Sequence, residues 1–109
     1  MQIQLVDAET PLKGRFCLRF RKGRRAELRF CDGTVPASLT ALGLEGALLA
    51  PRDAWPAGLP GRRVLLWWRD LGHPQGLRGR VVGIGPEGLR LAFTLEPDMR
   101  EVLMGAFRG

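Results

Sequence analysis

No strand-like run in this chain goes far before a glycine, a proline or an Asp-Gly pair interrupts it. Fifteen glycines and eight prolines among 109 residues cut the apolar positions into short pieces, and within most pieces the alternation is two-fold. That combination favours a mainly β architecture. Residues 16–31 give the clearest case. Phe16, Leu18 and Phe20 alternate with Cys17, Arg19 and Arg21, and Ala26, Leu28 and Phe30 alternate with Glu27, Arg29 and Cys31. With Lys22-Gly23-Arg24 as a loop, these are expected to form a hairpin with Leu18 opposite Leu28, Arg19 opposite Glu27 and Arg21 opposite Arg25.

The remaining segments follow the same grammar. Asp32-Gly33 marks a turn before a strand over residues 35–41, and the bend "LGLEG" leads into another over residues 47–50. "PRDAWPAGLPG" is a loop, and "RRVLLWWRD" is a strand that sends Trp67 and Trp68 to opposite faces. At least one of those indoles should therefore meet solvent, a cap or a partner. "LRGRVVGIGPEGLRLAFT" is a hairpin with Gly-Pro-Glu-Gly at its bend. After Glu96-Pro97 the period changes. Met99, Val102, Leu103, Ala106 and Phe107 make one apolar helical stripe, with Pro97 and Asp98 suited to its first turn. The expected fold is a small six- or seven-stranded antiparallel β-barrel with one C-terminal α-helix packed on it, and closure would remove the sheet edges.

Length and hydropathy point to a single domain, residues 1–109, able to bury a core without staples. No window is long and apolar enough to span a membrane, so no membrane insertion is expected. "MQIQLVDAETPLKG" lacks the pattern of a signal peptide, which makes the cytoplasm the expected location. Cys17 and Cys31 stand fourteen residues apart without CxxC spacing or histidine company. They are expected to be buried thiols, with neither a disulfide nor a metal.

The formal charge of +6 and the pI near 10.9 suggest a polyanionic partner. Yet fifteen of the seventeen basic residues are arginine, and asparagine and tyrosine are absent, the bias expected of a very GC-rich genome. Where the arginines stand therefore carries more information than how many there are.

Catalytic chemistry finds little support. His73 lies in the loop-like "DLGHPQG", Ser38 is mid-strand with no nucleophile elbow around it, and the acids are scattered without a dyad or ligand spacing. The Gly-rich "VVGIGPEG" precedes a strand and not the helix that a dinucleotide loop requires. No catalytic residue, metal ligand or resident cofactor is assigned. Arg21, Arg24 and Arg25 with Lys22 do concentrate positive charge, and planar guanidinium forks match phosphate and stack on purines. A solvated hairpin tip explains the same residues.

The order of parts, with Arg21-Lys22-Gly23-Arg24-Arg25 as an Arg-xxx-Arg near the first strand, "ALGLEG" at a later bend and a closing helix, resembles the PilZ domain family. The resemblance covers roughly residues 20–107 and leaves residues 1–19 outside it, with room for an extra strand. Arg25 to Arg29 offers a second register for the first motif. PilZ domains with both motifs bind cyclic di-GMP, the arginines meeting phosphate and guanine, while an Asp/Asn-x-Ser-x-x-Gly bend reaches the base. Here Ala41 and Gly43 replace the polar pair of that bend and only Gly46 matches.

The resemblance thus implies a candidate ligand site of Arg21, Arg24, Arg25 and Gly46 that lacks half its contacts. Each lost contact would cost about 1–3 kcal/mol, so binding of cyclic di-GMP should be weak or absent. The expected function is a non-enzymatic, protein-binding adaptor in cyclic-di-GMP-related signalling, with motility or type IV pili as the setting that the resemblance implies. The alternatives are a cyclic di-GMP sensor that uses the Arg-xxx-Arg motif, and a small basic barrel that binds RNA or DNA. The nucleic-acid reading ranks lower because no RNP-type aromatic motif is present and the Trp67-Trp68 strand is very apolar.

Overall fold

In the computed structural model, residues 18–72 and 75–108 are described, Asp70 and residues 106–108 by their backbone alone. Strands β1 (Leu18–Phe30), β2 (Gly33–Leu42), β3 (Gly46–Pro51), β4 (Arg63–Trp68), β5 (Leu77–Gly85) and β6 (Gly88–Phe93) precede helix α1 (Pro97–Arg108). All six strand pairings are antiparallel, and they close a barrel in the order β1-β2-β3-β6-β5-β4. Six strands and one C-terminal helix match the architecture expected from the sequence. The seventh strand allowed for the N-terminus, like Phe16, Cys17 and His73, lies outside the described residues, whereas Leu18 and Arg19 begin β1.

Two-fold alternation fills the barrel. Leu28 of β1, Leu39 of β2, Leu49 of β3, Leu66 and Trp68 of β4, Val81 of β5 and Leu89 of β6 point inward and are buried. Leu59 from the long loop, Leu71 from a 3-10 turn after β4 and Leu103 from α1 complete the same core. Among the described residues no polar or charged side chain is buried. The charged and polar side chains among the described residues therefore stand toward the outside of the barrel.

The basic bend is not a hairpin. Leu18–Phe30 is one continuous strand, and Lys22-Gly23-Arg24 lies inside it. Opposite β2, Arg19 pairs with Ala41 and Arg24 with Leu39, so residues 20–23 bulge against the single residue Thr40. Glu27 consequently stands opposite Pro36 and Trp67, not Arg19, and Arg21 does not oppose Arg25. Two physical reasons favour this arrangement. The inward positions Leu18, Phe20, Ala26 and Leu28 keep one phase through the bend, so a single strand buries them all. A hairpin would also have set two arginines face to face, and it would have given β1 no long edge for both β2 and β4. Thr40 stabilises the irregular spot by donating its hydroxyl to the Leu48 carbonyl, 2.9 Å away.

The turn after β1 also differs from expectation at one residue. Cys31 and Asp32 form a two-residue connection between Phe30 and Gly33, and the Cys31 thiol is exposed, not buried. A tight turn at the barrel rim offers no interior for it. Arg62, at the end of the long loop, covers this turn. Its guanidinium is 2.6 Å from the Asp32 carboxylate and lies 4.6 Å over the Phe30 ring. Arg62 holds the Asp32 carboxyl below its ordinary range, chiefly through that hydrogen bond.

Candidate functional site

The bulge and the strand after it carry the arginines singled out by the sequence. Arg21 is exposed within the bulge. Arg24, just past it, is half-buried and carries its guanidinium 5.5 Å over the Phe20 ring. Arg25 is exposed opposite Ser38. Arg24 and Arg25 line an open cleft of about 610 Å³ together with Ala26, Glu27, Trp67 and Arg69. Arg21 and Gly46 are not among its lining residues.

The pairing of β1 with β4 explains how this cleft forms. Glu27 lies directly opposite Trp67, so the half-buried indole faces outward beside the arginines of β1 while Trp68 enters the core. Arg69 follows in the 3-10 turn and closes the far side. Arg29 bonds Glu27 at 3.0 Å and places its guanidinium 4.5 Å over the Trp67 ring. The cleft thus offers guanidinium donors, one π-face and a carboxylate already engaged by a cation. Such a set can hold an anion that carries a flat ring. Sequence reasoning separated the two tryptophans correctly but did not join Trp67 to the arginines. That step needs the β1–β4 register, which connects residues about forty apart.

The second PilZ-like motif lies elsewhere. Ala41 and Gly43 are buried, and the Gly43 N–H donates to the Gly46 carbonyl at 2.8 Å, which tightens the bend between β2 and β3. The Phe93 N–H donates to the Glu45 carbonyl at 2.8 Å, tying the same bend to β6. Gly46 opposes Ala92 on β6. It is a packing position, because a Cβ there would collide with the carbonyl oxygen of Leu91.

A second cationic cluster was not assigned from the sequence. Arg63 and Arg80 face each other across β4 and β5, and with Arg78, Gly79 and Thr94 they line a cleft of about 240 Å³. Among the described residues no set of histidine, cysteine and acidic side chains is grouped to hold a metal ion, and no helix is long and apolar enough to cross a membrane. The sequence matches no protein-family model and no curated protein.

Proposed function

We propose that this barrel is a PilZ-like binding module, acting in cytoplasmic cyclic-di-GMP-related signalling as a protein-binding adaptor that holds cyclic di-GMP weakly or not at all. Catalysis has no part in this reading, and a motility or type IV pilus setting rests on the family resemblance alone. The observation that carries it is the bend over residues 41–46. Its base-reading positions are Ala41 and Gly43, both buried and without a polar side chain, and the Gly43 N–H is already spent on Gly46. A guanine edge would find no side-chain acceptor at either position.

The adaptor half of the proposal draws on β5. Val82 follows the inward Val81 and faces outward at a one-residue bulge between the pairs Val81–Leu91 and Gly83–Arg90. Val82 and Ile84 are 55% and 43% exposed near the hairpin tip, a small apolar patch suited to a protein contact. The sensor reading draws on the cleft beside Arg24 and Arg25, which supplies phosphate donors and an indole.

Calorimetric titration with cyclic di-GMP separates these readings. The wild type should bind weakly or undetectably, with any affinity falling steeply as salt rises. A41D/G43S should strengthen binding about tenfold or more, equivalent to about 1–3 kcal/mol. Ala41 lies opposite Arg19, so an introduced carboxylate has a cation across the strand. R21A or R25A should cancel the gain. Tight, salt-resistant binding by the wild type would overturn the adaptor reading and make the protein a sensor.

A further inference from the structure

If the arginines reflected only genomic composition, they would be spread around the barrel. They are not. The outward positions of β2 are Thr34, Pro36, Ser38 and Thr40, and those of β3 are Leu48 and Ala50. Three neighbouring strands instead carry most of the charge, with Arg25 and Arg29 on β1, Arg63 on β4, and Arg78 and Arg80 on β5, against Arg90 alone on β6. Arg69 extends the row beyond β4. Glu27 is the one acidic side chain on these outward strand positions, and Arg29 holds its carboxylate at 3.0 Å.

The far end of this face has unfavourable electrostatics on its own. Arg63 stands directly opposite Arg80, and like charges in cross-strand positions about 5 Å apart destabilise a sheet. Arg78 lies on the same face of β5, about 7 Å along the strand. Among the described residues no acid pairs with Arg63, Arg78 or Arg80, and the narrow cleft between them is open to solvent. About 13 Å from Arg63 along β4 stands Trp67, on the wall of the wider cleft, with Arg29 against the indole. An anion with several charges in a row, and flat rings attached at intervals, complements both ends at once.

We infer that the outer face of β1, β4 and β5 binds single-stranded nucleic acid, with phosphates along Arg63, Arg78 and Arg80 and an unpaired base against Trp67 and Arg29. Guanidinium planes and indoles are the common stacking partners of unpaired bases, and a charged row tracks the backbone without reading sequence. The length of the face suits the smallest single-strand sites, about four nucleotides. This goes beyond the adaptor function, since Arg63, Arg78 and Arg80 belong to no part of the cyclic di-GMP reading.

The test is fluorescence anisotropy of the full chain with labelled twelve-nucleotide oligo-dT and oligo-U over a range of salt. Binding should weaken with a log–log salt slope of about −2 to −3, as expected when three or four phosphates of a single strand are neutralised. R63E/R80E should reduce affinity at least tenfold, and R63Q/R80Q serves if the glutamates prevent folding. R52E/R90E, with the same net charge as R63E/R80E but outside this face, should bind like the wild type. Trp67→Leu should weaken binding while leaving the salt slope unchanged. No binding at low salt, equal loss in R52E/R90E, preference for duplex of the same length, or equal competition by poly-glutamate would each overturn the inference. None of these results depends on cyclic di-GMP.

Discussion

Gly46 of β3 lies so close to Leu91 of β6 that a Cβ on the glycine would strike the Leu91 carbonyl oxygen. Gly46, the one residue of the bend that matches the PilZ pattern, is therefore required by barrel closure, whatever the protein binds. Gly46→Ala should lower the melting midpoint, with a destabilisation of about 1–3 kcal/mol from the forced backbone shift. Denaturant unfolding measures it. A variant as stable as the wild type would mean that β3 and β6 can separate at this point without cost.

Core and rim contacts should differ sharply in weight. Leu28 and Leu103 are fully buried, one from β1 and the other from α1. Leu28→Ala and Leu103→Ala should each cost about 2–5 kcal/mol through lost transfer energy and a residual cavity. Glu45 also links to α1, through Arg100 at 3.0 Å, but both side chains are largely exposed. Glu45→Ala should change stability by less than about 1 kcal/mol. A large effect at Glu45 with a small one at Leu103 would show that charge, not apolar packing, holds the helix.

Local pattern sufficed for most of the fold because strand ends are written in local chemistry. Asp32-Gly33, "LGLEG" and Gly-Pro-Glu-Gly each fall at a real turn, and the stripe through Met99, Val102 and Leu103 faces the core; the side chains of Ala106 and Phe107 lie outside the described residues. The basic bend misled because Lys22-Gly23-Arg24 has the composition of a turn. The unchanged phase of Leu18, Phe20, Ala26 and Leu28 was the local signal against a turn. The candidate site was less legible. Arg24 and Arg25 lie together, but their companions Trp67 and Arg69 arrive from β4 and the 3-10 turn after it, and Arg63 meets Arg80 only through the β4–β5 register. Contacts between distant strands leave no trace in local spacing.

Acid should weaken the rim where Arg62 meets Asp32. The folded-state pKa of Asp32 is depressed by its hydrogen bond to Arg62. The pair therefore contributes stability above the ordinary carboxylate range, near pH 4, and that contribution is lost as pH falls through the lower folded-state value. Asp32→Asn should be less stable than the wild type at neutral pH, and the difference should shrink as the pH falls well below 4. Thermal melts of both proteins from pH 7 to pH 2 measure this. A gap that is constant with pH would show that the carboxylate charge contributes nothing.

The last test concerns the bulge that carries the arginines. Gly23 sits against Ser38 of β2, where an added Cβ would lie 2.9 Å from the Ser38 Cβ. That spacing is too short for two carbons, so Gly23→Ala should push β1 from β2 and cost about 1–3 kcal/mol. Ser38→Gly removes the obstructing carbon at a cost of about 1 kcal/mol for a glycine within a strand. If the contact is what demands glycine, the double variant should be more stable than the sum of the single effects allows. Residues in direct contact commonly couple by about 0.5–3 kcal/mol. The double-mutant cycle reads this coupling from four denaturant curves. Strict additivity would mean that Gly23 is needed for the backbone path of the bulge and not for its closeness to Ser38.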